Sequence, residues 1–182
     1  AGGAADNRKM YFGQTDDKTF AGTHRRAVIM FTDDLTEEAD AAYIGNVGPF
    51  YPTSVTWKFK RPAGLSVPDI DDTERDALED AHINFMTDEY KKVYVKNGVC
   101  SDGEYIDVQI GADYIVKVMR ARLYDIYLIN PKIPYTDDGF ALVSSAVFAA
   151  LNEATSLGIV ARNASNGAGI FTVEIPKLVD AT

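Results

Sequence analysis

The sequence has very few of the residues that build disulfides, metal sites and catalytic centres. Its 182 residues include one cysteine, Cys100, and two histidines, His24 and His82. A single cysteine cannot form an internal disulfide, which favours a reducing compartment. The histidines lack a metal-ligand spacing, and Asp102 beside Cys100 opposes the thiol ionisation that a catalytic cysteine needs. We therefore predict no metal, no cofactor and no catalytic residue.

Long apolar runs and an excess of positive charge are also absent. No stretch approaches the roughly 20 consecutive apolar residues of a membrane helix, and residues 1–8 lack the pattern of a signal peptide. The net charge is -9, which argues against coating a nucleic acid. Phosphate-loop, dinucleotide-loop and nucleophile-elbow motifs are missing. We expect no nucleic acid and no membrane as partner. The chain lacks a starting methionine, and we expect it to be processed or a fragment.

Apolar patterning predicts a sheet. The continuous apolar run at 27–31 is typical of a strand covered on both faces, and residues 10–12 could begin a short strand before it. Strict alternation over 55–60 predicts a strand that buries Trp57 and Phe59. Ser101-Asp102-Gly103 indicates a hairpin. Its strands would be 92–96 and 104–110, the second burying Ile106, Val108 and Ile110.

Four helices are predicted from capping residues and apolar spacing. The first follows Asp34, and the second follows Asp71 and places Leu78, Ala81 and Phe85 on one face. The third spans about 112–129, with an apolar stripe of Ile115, Val118, Met119, Leu123 and Ile126. The fourth runs from Thr136 to Gly158, which suits a C-cap. Acidic pairs at three of these helix starts indicate capping of free backbone N–H groups and not a metal site.

The end of the chain changes character. Residues 163–169 have the composition of a flexible linker, and residues 170–175 have strong strand propensity. A tethered strand pairs with a sheet edge in its own domain or in a neighbour. The predicted arm strand consists of Ile170, Phe171, Thr172, Val173, Glu174 and Ile175.

The predicted fold class is α/β (α+β): a mixed sheet with about four packed helices and an extended C-terminal β-arm. We divide the chain into an N-terminal linker, short strand and loop (1–25), an α/β domain (26–162) and a linker with its arm (163–182). Within the domain, basic residues recur on the third helix. We expect Lys117 and Arg120 to contact an acidic partner, because the overall negative charge disfavours nucleic acid.

Four sequence blocks, in this order and spacing, resemble the contractile tail sheath proteins of tailed bacteriophages. The resemblance covers about residue 26 to the end and corresponds to the C-terminal half of family members. The blocks are Thr56-Trp57-Lys58-Phe59-Lys60; Gly103-Glu104-Tyr105-Ile106-Asp107-Val108 followed by Gly111-Ala112-Asp113-Tyr114; residues 131–139; and Gly158-Ile159-Val160-Ala161.

The resemblance implies a mechanical role and no enzymatic activity. Sheath subunits polymerise around an inner tail tube protein, join through β-strand addition by terminal arms, and contract to drive genome delivery. Residues 170–175 occupy the position of the C-terminal arm. The implied partners are copies of the chain and the tube protein, and the implied location is the virion tail, assembled in the bacterial host cytoplasm. Two alternatives stay open: a baseplate or other injection-machine component, and a small-molecule-binding or hydrolytic α/β enzyme.

Overall fold

The computed structural model of the protein describes residues 9–51 and 54–175. Within these ranges the chain forms an α/β fold of four strands and four α-helices. In chain order they are β1 (Tyr11–Thr15), β2 (Ala27–Phe31), α1 (Ala39–Val47), α2 (Asp72–Asp80), β3 (Asn84–Glu89), β4 (Lys92–Lys96), α3 (Ile106–Ile129) and α4 (Asp137–Ser156). The chain divides into two compact units, Ala1–Ile110 and Gly111–Thr182.

The N-terminal unit is built on a mixed sheet with the strand order β1-β2-β3-β4. Strands β1, β2 and β3 are parallel, and β4 is antiparallel to β3. The predicted central strand is confirmed: Val28 and Met30 pack into a core with Tyr43 and Trp57. Phe31, on the opposite face of β2, packs with a second buried group of Leu78, Ile83 and Phe85.

The buried side chain of Asn84 joins the middle of this sheet to the segment that follows β4. Its amide nitrogen donates to the carbonyl oxygens of Ile29 (3.1 Å) and Val99 (2.9 Å). Its amide oxygen accepts from the backbone N–H groups of Gly98 (2.8 Å) and Val99 (2.9 Å). The three bonds to Gly98 and Val99 are buried where water cannot replace them, so the side chain fixes the path of residues 98–99.

Capping explains where the helices begin and end. The predicted start of the second helix is confirmed, and there Asp71 and Glu74 form a reciprocal capping box. Asp34 caps a single 3₁₀ turn, and α1 starts only after Glu38, which has a left-handed backbone (φ 49°). Helix α4 starts after Thr136 and is followed by Gly158 at φ 79°, as predicted, although the Thr136 side chain makes no capping bond. The predicted acidic pair Asp137 and Asp138 lies in the first turn of α4.

The predicted strand at 104–110 is wrong. The turn at residues 101–103 does reverse the chain, but it leads to a single antiparallel bridge between Val99 and Tyr105. Helix α3 then begins at Ile106. Ile106 is buried, whereas Val108 is 52% exposed. Positions i and i+4 share a face in a strand and in a helix alike, so Ile106 and Ile110 could not separate the two structures.

Two further predictions fail at residues with positive φ. Residues 55–60 form no strand: Trp57 is buried as predicted, but Phe59 has φ 62° and an exposed ring. Helix α2 was predicted to continue to Phe85. His82 has φ 57°, which ends the helical path and sends Phe85 into β3, where it pairs with β4. Strand β3 therefore takes the place in the hairpin that residues 104–110 were expected to fill.

We predict that Asn84→Ala destabilises the N-terminal unit by about 3 kcal/mol, because it removes four hydrogen bonds and leaves the buried N–H and carbonyl groups of Val99 without partners. Urea unfolding followed by the fluorescence of Trp57 measures this, since Trp57 is the single tryptophan of the sequence and is buried in this unit. The matched control is Asn46→Ala, which removes one exposed bond to Arg61. The control is expected to change stability by less than about 1 kcal/mol. Equal effects of the two variants would contradict the assigned role of Asn84.

Cys100 is expected to be inert in the folded protein. It is fully buried in the core, and burial, with the nearby carboxylates of Asp102 and Glu104, raises the pKa of its thiol to about 12. At pH 8 a thiol reagent is expected to label it at least about a hundredfold more slowly in the native protein than in guanidinium chloride. Labelling of the native protein at the denatured rate would show an accessible thiolate and revive a catalytic role.

Candidate assembly surfaces

Strand β1 presents an open edge. In its parallel register, the Tyr11 N–H donates to the Arg26 carbonyl (2.7 Å) and the Thr15 carbonyl accepts from Thr32 (3.1 Å). Because alternate residues of a strand face opposite edges, the backbone groups of Phe12 and Gln14 face away from β2. Neither residue makes a backbone hydrogen bond there with any part of the chain described by the structure. This edge can accept another strand.

The opposite edge of the sheet is covered by the chain itself. The outward N–H of Val95 donates to the Lys60 carbonyl (2.7 Å), and the Val95 carbonyl accepts from the Phe59 N–H (3.1 Å). The Arg61 guanidinium donates to the Val93 carbonyl (2.8 Å). Such cover prevents edge-to-edge pairing. The predicted strand around 57–60 is therefore a short segment that seals β4.

The predicted flexible linker, residues 163–169, forms a hydrogen-bonded loop together with Arg162. Arg162 and Gly169 make an isolated antiparallel bridge. Within the loop, Asn163 donates from its backbone to the Ala168 carbonyl (2.7 Å), and its side chain accepts from Ser165 (2.8 Å). Composition could not show that asparagine side chains close a turn here.

The predicted arm, residues 170–175, forms no strand within its own unit. Phe171 and Val173 are half-buried, while Thr172 and Glu174 are exposed, which is the alternation of an extended chain. The Phe171 ring lies 6.1 Å from the Phe148 ring. Residues 171–175 have no backbone hydrogen bond with the described part of the C-terminal unit. Pairing with a neighbour stays a prediction, and the rest of the arm, 176–182, lies outside the described residues.

Lys117 and Arg120 lie on an exposed face of α3, and neither forms an ion pair with the residues that the structure describes. The same face continues at helical spacing into three exposed apolar side chains, Tyr124, Tyr127 and Leu128. We call these five residues the basic–aromatic stripe. The aromatic part was missed in the sequence, because helical spacing alone does not show which face of α3 is covered.

Arg122, from the same basic cluster, differs from Lys117 and Arg120. It donates to the carboxylate of Glu153 on α4, which also accepts from the Tyr114 hydroxyl (2.8 Å). These two hydrogen bonds lower the pKa of Glu153 below its usual value, and the bond from Arg122 has the larger effect. Arg122 thus joins α3 to α4 within the unit. Lys117 and Arg120 are the basic residues of α3 that remain exposed.

Features that could suggest chemistry are dispersed. His24 lies in a loop, where its ring nitrogen accepts from the Arg26 N–H (3.2 Å), and His82 lies at the end of α2. Within residues 9–51 and 54–175, no group of three or more His, Cys, Asp or Glu side chains is placed to hold a metal ion. A shallow depression of about 290 Å³ is lined by Trp57, Phe59, Tyr105 and Val108, with Lys58 and Asp107 at its margin.

Comparisons with known proteins give a fold and no family. No family model matches the sequence, and no curated protein matches it. Among the helices that the structure describes, none has the length and apolar character to cross a membrane. A solved structure does share the fold: a chain in the cryo-EM structure of the anti-feeding prophage (AFP) baseplate, six-fold symmetrised, superposes with a TM-score of 0.62 at 14% identity. The match covers 87% of this chain and 48% of the other, so this chain spans about half the length of that baseplate protein.

Proposed function

We propose that this chain is a structural subunit of a phage-type contractile machine and that it packs against copies of itself by β-strand addition. One observation carries the proposal: the chain has an open sheet edge at β1 and an extended segment, 171–175, without backbone partners in the described part of its unit. A donor and an acceptor of complementary type thus exist in one molecule. The fold shared with a chain of the AFP baseplate supports the same class of machine.

The geometry supports joining in one direction. The opposite edge of the sheet, at β4, is sealed by residues 59–61. A terminal segment therefore has one edge to join, and each copy can give one strand and receive one. A contact between two different surfaces of identical chains is heterologous, so it forms rings or open helical arrays and not closed pairs.

The strength of one junction suits a lattice. Phe12 and Gln14 offer two N–H and two C=O groups, so four main-chain hydrogen bonds are available. At about 1 kcal/mol net for each bond, one junction contributes on the order of 4 kcal/mol before side chains are considered. Such a contact is weak in a pair of molecules and becomes strong when every subunit is held at several points.

Two placements in the machine are compatible with this geometry. In the first, which follows the sequence resemblance, the chain belongs to the tail sheath: it surrounds an inner tube protein, and its contraction drives genome delivery from a virion tail assembled in the host cytoplasm. In the second, favoured by the AFP structure, it belongs to a baseplate. The enzyme alternative gains nothing from the depression beside Trp57, which brings together only Lys58 and Asp107 as charged residues.

Deleting residues 164–182 is expected to abolish assembly and to leave the domain folded, because the donor strand is lost. The deletion also removes Phe171 from Phe148. Val173→Pro is a sharper variant: it keeps Phe171 but removes an N–H group from the strand. Its control is Val173→Ala, which shortens the side chain and keeps the N–H. Electron microscopy is expected to show arrays for the wild type and Val173→Ala only, with circular dichroism unchanged. Arrays formed by the deletion protein would refute strand addition.

Copy number separates the two placements. Quantitative mass spectrometry of purified tail-like particles is expected to find peptides of this chain among the most abundant if it forms the sheath. A baseplate component is expected at a few copies per particle, far below the tube protein. The inner tube protein serves as the internal reference in both cases. Peptides found only in the soluble fraction would refute both placements.

A further inference from the structure

We infer that the basic–aromatic stripe of α3 docks on the acidic face of α2 in a second copy of this chain. This contact rests on the proposed role as a packing subunit, but it uses neither the β1 edge nor the C-terminal arm. It names a second surface through which copies meet, and its two halves lie in different units of the molecule.

The stripe has the composition of a protein contact. Tyr124, Tyr127 and Leu128 expose 68%, 63% and 82% of their surface. Aromatic residues are enriched in interface cores, and exposed apolar side chains gathered at one place mark interaction sites. Lys117 and Arg120 precede them by one to two helical turns on the same face. From Lys117 to Leu128 the stripe is about 16 Å long at 1.5 Å per residue.

The occupant is indicated by charge. Helix α2 carries Asp72, Glu74, Asp76, Glu79 and Asp80 against one basic residue, Arg75. Asp72, Asp76 and Asp80 are all exposed and recur every four residues, so they form one acidic face about 12 Å long. Neither Asp76 nor Asp80 forms an ion pair with the described residues. The acidic face of α2 thus carries the charge opposite to that of Lys117 and Arg120 on α3.

The order of the groups also matches. Just before α2, a groove of about 150 Å³ is lined by four apolar residues, Val67, Pro68, Ile70 and Met86, and by four polar ones, Asp69, Arg75, Thr87 and Asp88. A tyrosine fits such a groove because its ring is apolar and its hydroxyl can donate to a carboxylate. Along α2 from its C-terminal end, acidic residues come first and the groove second.

An antiparallel arrangement of the two helices therefore places the basic residues of the stripe opposite acidic residues of α2. Lys117 lies opposite Asp80, Arg120 opposite Asp76, and Tyr124 opposite Asp72, with Tyr127 and Leu128 toward the groove. Successive pairs are about 4.5 to 6 Å apart along both helices. Because the two surfaces differ, the contact is heterologous, and because its charged pairs are exposed and weak, it is expected to hold an array only together with strand addition.

A charge exchange tests the pairing. In one variant Lys117→Glu and Arg120→Glu make the stripe acidic; in another Asp76→Lys and Asp80→Lys make the α2 face basic. Each variant alone is expected to weaken self-association about tenfold or more in sedimentation velocity at low salt, because like charges now meet. Mixing the two is expected to restore association. Lys91→Glu with Lys132→Glu, a reversal of two exposed cations elsewhere, is the control and leaves association unchanged.

Cysteine cross-linking detects the same contact when association is weak. Tyr124→Cys and Asp72→Cys chains are mixed and oxidised, and a mixed disulfide dimer is expected. The native thiol does not interfere, because Cys100 is fully buried. Tyr124→Cys with Asp16→Cys, in an exposed loop, is the control and gives no enrichment. Absence of the dimer, or a failure of the charge exchange to restore association, overturns the inference and leaves an acidic partner other than this chain for the stripe.

The arm variant separates this result from the proposed function. Val173→Pro is expected to lose arrays and to keep the Tyr124–Asp72 cross-link, because the arm takes no part in the helix contact. Arrays formed by the mixed Tyr124→Cys and Asp72→Cys chains with intact arms, without a disulfide between them, would overturn the helix contact alone. A cross-link with no arrays in any variant would overturn strand addition alone.

Discussion

The four hydrogen bonds of the buried Asn84 amide are the constraint on which the rest of the N-terminal unit depends. They fix Gly98, whose φ of 78° suits glycine, against the backbone of Lys58, where a Cβ atom would clash. The segment from Trp57 to Arg61 is in turn the one that covers the outer edge of β4. One polar side chain in the core thereby helps to position the segment that covers the β4 edge.

The asymmetry between the sealed β4 edge and the open β1 edge bears on assembly. A sheet with two open edges would pair in either direction and aggregate, whereas one sealed edge leaves a single direction of growth. The cost is a buried polar network that must be fully satisfied, since a half-satisfied one is worse than an apolar core. We infer that the network is kept for the specificity it gives to the edges, because an apolar residue at position 84 would leave the path of residues 98–99 without a polar anchor.

Local chemistry made part of this fold predictable. The apolar run of β2, the capping box of α2 and the limits of α4 follow from signals within a few residues. Two of the failures share a feature: Phe59 and His82 adopt positive φ without being glycine, and no local pattern announces it. Of the candidate site, the placement of Lys117 and Arg120 on the third helix could be predicted, and their role in a contact stays a prediction. The open edge of β1 and the exposed tyrosines of α3 depend on which surfaces the fold leaves uncovered.

The two proposed contacts differ in a way that a contracting lattice would use. Main-chain hydrogen bonds of an added strand do not depend on charge, and a strand that stays paired would keep neighbouring chains connected while they change orientation. The helix contact relies on Lys117 and Arg120 in exposed positions, so salt weakens it and a small displacement breaks it. A lattice needs both properties: permanent links that preserve connectivity, and exchangeable contacts whose loss and replacement distinguish one packing from another. An assembly held only by the first kind would have no preferred state, and one held only by the second would fall apart when it moved.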